Sequence, residues 1–303
     1  MGKYVTFSLI FEAQSLNYGE GIGNISELKK FTRMNGEQYT CASRQALRYD
    51  IVRLGNELFG WNLDTVDKSK DTIQFKEDVS IRESEEMDLF GYMKTISGQS
   101  SIIRPATVRL SFAVSLEPYK NDLEFLSNKG LADRISTDSN LANIEQHLSY
   151  YTYTVSIDLP KIGVDIDKNN QKIELPNEEK YKRVSQFLDI IKILNRKIRG
   201  RIENLSPLFI VGGLYDVPNP FFMGRLRLKP SSNNKYSIDI EPLKAVLEMI
   251  WNNKKIRDDT FAGLVKNIFN NDQELEVLFG ENLLSVEEFF ERMKLLVKNF
   301  YEV

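Results

Sequence analysis

Tyr4-Val5-Thr6-Phe7-Ser8-Leu9-Ile10-Phe11 sets Val5, Phe7, Leu9 and Phe11 on one side of an extended chain and shorter or polar residues on the other. That period of two predicts a half-buried strand. Downstream, Asn17 to Asn24 carries Gly19, Gly21 and Gly23, a loop able to adopt positive φ and to bring backbone close to a ligand. Cys41 to Phe59 then repeats Leu47, Ile51, Leu54 and Leu58 on one stripe, which predicts a helix with Arg44 and Arg48 beside the apolar face. The polar, acidic stretch from Asp64 to Glu86 reads as an insertion contributing little to the core. Period-2 patterning returns at Val108, Leu110, Phe112 and Val114, and again at Tyr151, Tyr153, Val155, Ile157 and Leu159.

Glu178 to Glu203 predicts a long amphipathic helix: Val184, Phe187, Leu188, Ile191, Leu194 and Ile198 form its apolar stripe, and Lys192, Arg196 and Arg199 lie on another face. Leu208-Phe209-Ile210-Val211 follows as a buried strand ended by Gly212-Gly213. The order strand, helix, strand, strand, helix, strand predicts an α+β protein with a ferredoxin-like, RRM-like palm. From Pro242 onward the pattern is mostly helical, with Ala245, Leu247, Ile250 and Trp251 and later Phe289, Phe290, Met293, Leu296 and Val297 as apolar positions. The expected organisation is a palm over 1–240, interrupted by a finger-like insertion at about 60–105 and a thumb-like one at 212–228. A helical C-terminal region over 241–303 would pack on the palm.

Composition narrows the function. In 303 residues, 42% apolar, there is ample material for a core and no run approaching the roughly 20 apolar residues of a spanning helix. The alternating N-terminus does not read as a signal peptide, and the single Cys41 suits a reducing compartment; a cytoplasmic protein with no membrane association is expected. The net charge of -3 argues against a nucleic-acid binder, but the charge is segregated. Nine acids lie between Asp64 and Met93 against Lys68, Lys70, Lys76 and Arg82, whereas Lys180 to Arg201 holds eight bases and the single acid Asp189. Such asymmetry along a chain points to an anionic partner better than the net value does.

Catalytic chemistry has thin support. His147 is the only histidine and Cys41 the only thiol, so neither an imidazole pair nor a thiolate cluster is available, and no cofactor is expected. Glu83, Glu85, Glu86 and Asp88, or Glu12 and Glu20 around the first loop, are carboxylates that could hold Mg²⁺, with no motif behind them. Binding has more candidates. Arg44 and Arg48 suit backbone phosphates or an ordinary solvated helix face. Pro218-Asn219-Pro220-Phe221-Phe222-Met223-Gly224 sets two aromatics and a Met in a Pro/Gly-bounded turn, followed by Arg225 and Arg227; it fits a tip that wedges against bases, or a packed hairpin.

Five stretches, in order, jointly resemble the crRNA-binding backbone family of type I CRISPR Cascade complexes, in its I-B, DevR/Cst-type branch. They are Leu16-Asn17-Tyr18-Gly19-Glu20-Gly21-Ile22-Gly23-Asn24, Ser43-Arg44-Gln45-Ala46-Leu47-Arg48, Asp88-Leu89-Phe90-Gly91-Tyr92-Met93, Arg104-Pro105-Ala106 with Ser115-Leu116-Glu117-Pro118-Tyr119, and Pro207-Leu208-Phe209-Ile210-Val211-Gly212-Gly213-Leu214-Tyr215. The resemblance implies a hand-like subunit without catalytic activity that stacks with copies of itself along crRNA, beside other Cascade subunits. It would hold the guide by its backbone and present it to target DNA. It implies guide contacts at Asn17, Tyr18, Gly21 and Gly23 of the loop and at Arg44, Gln45 and Arg48 of the helix, with Arg104 and Arg109 as additions. Phe222, Met223 and Arg225 would belong to a thumb running from roughly Leu214 through Arg225. Two rival readings stay open: a metal-dependent target-RNA ribonuclease of the type III kind acting through Glu12 or Glu20, and a transcriptional autoregulator. No helix-turn-helix signature supports the second.

Overall fold

The computed structural model describes residues 3–69, 72–95, 101–167, 171–231 and 235–303. Lys70 and Asp71 of the acidic stretch, and residues 96–100 of the expected finger, lie outside the described residues.

The N-terminal strand, Tyr4–Gln14, is the middle of the architecture. It runs antiparallel to Leu148–Asp158 on one side and to Phe209–Tyr215 on the other. The nine-stranded sheet continues outward from Leu148–Asp158 through Ala113–Ser115 and Gln38–Ala42 to Lys30–Thr32, and from Phe209–Tyr215 through Thr260–Leu264 to Leu283–Leu284. Val108–Leu110 also pairs with Leu148–Asp158. The α+β class is therefore observed.

Three helices cover one face of this sheet. Arg44–Phe59 contributes Leu47, Ile51 and Leu54, Asn177–Lys192 contributes Val184, Phe187 and Leu188, and Val286–Tyr301 contributes Phe289, Phe290 and Met293, all packed onto Val5, Phe7, Leu9 and Phe11. Leu58, the last member of the predicted stripe, is 49% exposed because it sits in the final turn, just before the left-handed Gly60 cap. The opposite face is not solvated as the period of two suggests. Ile10, Phe209, Val211 and Ala262 bury there against Leu243, Val246, Leu275 and Phe279, and Thr6 and Ser8 are buried too.

Four expectations are corrected. The helix expected over 178–203 ends at Lys192, and Asn195–Ile198 pairs with Arg201–Asn204 as a hairpin turning at Arg199 and Gly200, both at positive φ. Tertiary contacts override the helical pattern: in the hairpin Arg196 donates to the Leu16 carbonyl and to Asp50, each at 2.6 Å. Gly212 and Gly213 do not end a strand but lie inside one, where a Cβ on Gly212 would overlap the Thr6 carbonyl and one on Gly213 the Asp259 carbonyl. Glycine at this pair is a demand of close backbone approach.

The C-terminal region is not helical throughout. Thr260–Leu264 pairs antiparallel with Phe209–Tyr215 and Leu283–Leu284 runs parallel to it, while Ile250 and Trp251, expected on a helix, stand exposed in a short hairpin. The acidic stretch from Asp64 to Glu86 also carries core at Ile81, against which Phe75 and Val79 pack, and the residues just after it carry more. Ile81, Met87 and Leu89 are fully buried, and Asp88 is the hub of an ion network: Arg104 donates to it at 2.6 Å, Arg183 at 2.9 Å and the Gly163 N–H at 2.9 Å. Burial pushes the Asp88 carboxyl pKa up, and the two guanidiniums and the backbone donor oppose that.

Candidate nucleic-acid interface

The loop after the N-terminal strand is built by local backbone pairing. Lys29 N–H donates to the Asn17 carbonyl and Gly19 N–H to the Glu27 carbonyl, both at 2.8 Å, and Ile22 and Ile25 close the exposed tip. Gly23 has φ +60°, and a Cβ on Gly21 would stand 3.0 Å from the Ile25 carbonyl oxygen, so both glycines serve the turn. Asn17 locks this loop to the next helix: its Oδ1 accepts from Ser43 N–H at 3.1 Å, and Ser43 Oγ caps Ala46 N–H at 3.2 Å. Arg44 and Gln45 are therefore presented, exposed, in the first helical turn beside the loop. No acidic residue lies in that turn, and the helix's positive end adds to the field of Arg44.

A third segment meets the loop at Tyr18. Tyr18 donates its hydroxyl proton to the Glu145 carbonyl at 2.9 Å, and the Arg199 guanidinium covers its ring at 4.3 Å. Arg199 reaches it because the hairpin is pinned by Arg196 to Leu16 and Asp50. Lys29 and Arg44 are exposed and in no ion pair among the described residues. The loop and the helix start thus set the exposed Lys29 and Arg44 beside an exposed glycine turn, which suits a sugar-phosphate backbone.

The predicted site residues thus divide. Asn17, Tyr18, Gly21, Gly23, Arg44 and Gln45 come together, although Asn17 and Tyr18 spend their polar atoms on holding the loop. Arg48 is committed elsewhere: it donates to Glu86 at 2.6 Å and lies over the Phe90 ring. Arg104 is 6% exposed within the Asp88 network, so it cannot meet RNA in the folded chain. Phe222 is 1% exposed in the second core cluster with Phe221 and Leu226, which corrects the reading of this turn as a protruding wedge. Met223, Arg225 and Arg109 remain exposed. Arg109 points to the sheet face away from the three core helices, since its neighbours Val108 and Leu110 pack toward them.

Lys29 and the Tyr18–Arg199 stack were not singled out from sequence. The signal for the latter was the alternation Arg196-Lys197-Ile198 before Gly200, which fits a hairpin as well as a helix end. Asp122–Ser127 is exposed at all six residues and pairs with Leu141–Gln146.

Other candidates gain no chemistry from their surroundings. His147 is buried, with Nδ1 2.7 Å from Thr40 Oγ1, and burial holds its pKa below the ordinary value. Glu86 pairs with Arg48 and Asp88 with Arg104 and Arg183, so the acidic group does not converge; among the described residues no three His, Cys, Asp or Glu side chains are grouped to hold a metal. Glu12 is exposed and lies against Tyr150, whose pKa rises to about 12 through burial and then that carboxylate. No helix among the described residues is long and apolar enough to cross a membrane.

Against known proteins, no curated sequence matches. The fold is similar to a chain of a CRISPR RNA-guided surveillance complex in a pre-nicking state, with TM-score 0.59 and 13% identity over 97% of this chain and 100% of that one. A second chain, of a CRISPR RNA-guided surveillance complex, gives TM-score 0.56 and 13% identity over 98% and 99%. Residues 5–235 match the family described as the CRISPR-associated negative auto-regulator DevR/Csa2, a span holding the loop, the helix and the hairpin that form the basic face, and the chain belongs to that family.

Proposed function

We infer that this chain is a non-catalytic, crRNA-binding backbone subunit of a type I CRISPR Cascade complex. The observation that carries the reading is the locking of the glycine loop to the capped helix start through Asn17 and Ser43, which leaves Lys29 and Arg44 exposed and in no ion pair among the described residues, on a member of this family. Similarity over whole chains to two surveillance-complex subunits supports the setting. An RRM-like palm is supported by the neighbouring order of Phe209–Tyr215, Tyr4–Gln14, Leu148–Asp158 and Ala113–Ser115, with Arg44–Phe59 and Asn177–Lys192 on one face. Contacts of this kind read backbone rather than sequence, so the subunit would repeat along the guide beside copies of itself and other Cascade proteins, leaving bases free for target DNA.

The family's description as a negative auto-regulator keeps one second reading, a protein that binds its own control DNA. Competition separates the two. Binding of the purified protein to a single-stranded RNA should survive excess unrelated duplex DNA and be lost to excess unrelated RNA. Selective retention of one duplex sequence, with RNA ignored, would instead favour the regulator.

A further inference from the structure

On the sheet face away from the three core helices, a groove of about 780 Å³ runs between the Lys30–Thr32 and Gln38–Ala42 hairpin and the 223–228 segment. Its wall is an aromatic pair, Phe31 and Phe112, edge to face at 5.3 Å and 45% and 37% exposed, faced by the exposed Met223. Its floor is formed by Ser111, Thr152 and Thr154, with the Thr154 hydroxyl bonded to Ser8 at 2.7 Å. Arg33 and Arg227 supply charge. No acidic side chain lines it among the described residues, in a chain with 43 acids.

A groove that only awaited an apolar protein segment would have no need of two guanidiniums and the exclusion of carboxylates. We propose that it receives unpaired nucleobases of a single-stranded RNA, stacked on Phe31 and Phe112 while Arg33 and Arg227 take the adjoining phosphates. Every base offers a face to an aromatic ring, so the contact is indifferent to sequence, and it demands an unpaired strand because duplex bases are already stacked. The groove is continuous with the basic face: Lys29, Phe31 and Arg33 fall on one side of their strand by its period of two, while Lys30 turns to Glu145 at 2.7 Å on the other. One strand could then run from Arg44 and Lys29 along this edge into the groove. The proposal rests on the RNA-binding reading and adds a base-contacting site to its backbone contacts.

The test uses the full chain, a short single-stranded RNA carrying a fluorescent adenine analogue, and the same length of abasic RNA. Phe31→Ala with Phe112→Ala should weaken binding of the base-bearing strand roughly 5- to 150-fold, the loss expected for one aromatic–base stack, and abolish quenching of the analogue. Abasic RNA should bind wild type and variant alike. Phe31→Leu with Phe112→Leu, which keeps the apolar area, should behave as the alanine variant does and exclude a folding defect. Unchanged RNA affinity and quenching in both variants would overturn the proposal. So would unchanged RNA binding with loss of self-association, which would make the groove a protein-docking surface. A wild-type chain that binds neither RNA would sink the RNA-binding reading itself and this inference with it.

Discussion

Arg104→Ala should destabilise the fold by about 3–5 kcal/mol, the cost of stripping one partner from a buried ion network. The guanidinium bonds Asp88 through both the carboxylate, at 2.6 Å, and the main-chain carbonyl, at 2.8 Å, and reaches the Lys161 and Val164 carbonyls at 3.0 and 3.1 Å. Arg183 holds the other carboxylate oxygen and the Ile81 carbonyl. The pair therefore ties together the 81–90 segment, the 161–164 turn and the helix Asn177–Lys192. Removing Arg104 leaves a buried carboxylate with a single cationic partner and the Asp88, Lys161 and Val164 carbonyls without that donor. Denaturant unfolding should show a large drop in midpoint, whereas the exposed Arg44→Ala should stay within about 0.5 kcal/mol of wild type. A stable Arg104→Ala protein that had lost RNA affinity would instead restore Arg104 to the binding surface.

Lys29→Ala combined with Arg44→Ala should have the largest effect on binding. Neither cation has an ion-pair partner to lose among the described residues, so stability is preserved while two phosphate contacts disappear. Each contact to a single strand contributes a slope of about -0.7 to the dependence of log affinity on log salt, so the double variant should flatten the slope by about 1.4. Titrations at several salt concentrations measure this directly. Arg48→Ala is the informative contrast: its charge is spent on Glu86, so it should leave the slope unchanged. An undiminished slope in the Lys29/Arg44 variant would remove this face from the binding surface.

Much of this architecture was written in local periodicity. The alternation of Val5, Phe7, Leu9 and Phe11 and the stripe of Leu47, Ile51 and Leu54 are bury-or-expose patterns that tertiary structure left intact. The failures share a physical cause, partners distant in sequence. A run from Arg196 to Arg201 looks helical until Asp50 and Leu16 are seen to hold it as a hairpin. Arg104 looks like a surface cation until Asp88, 16 residues earlier, and the 161–164 turn close around it. Phe222 looks like a wedge until the second cluster of the sheet's far face buries it, a face that alternation alone assigned to solvent. The loop and the start of the helix were legible because the glycines and the Ser43 cap act locally, while the Arg199–Tyr18 stack depends on a hairpin far along the chain meeting the first loop.

The central claim is tested most directly by purifying the chain from cells that express a CRISPR array with the other Cascade proteins, and sequencing the RNA that travels with it. The account predicts enrichment of processed guide RNA in assemblies holding several copies of the chain. Protein free of RNA, with its partners present, would contradict it.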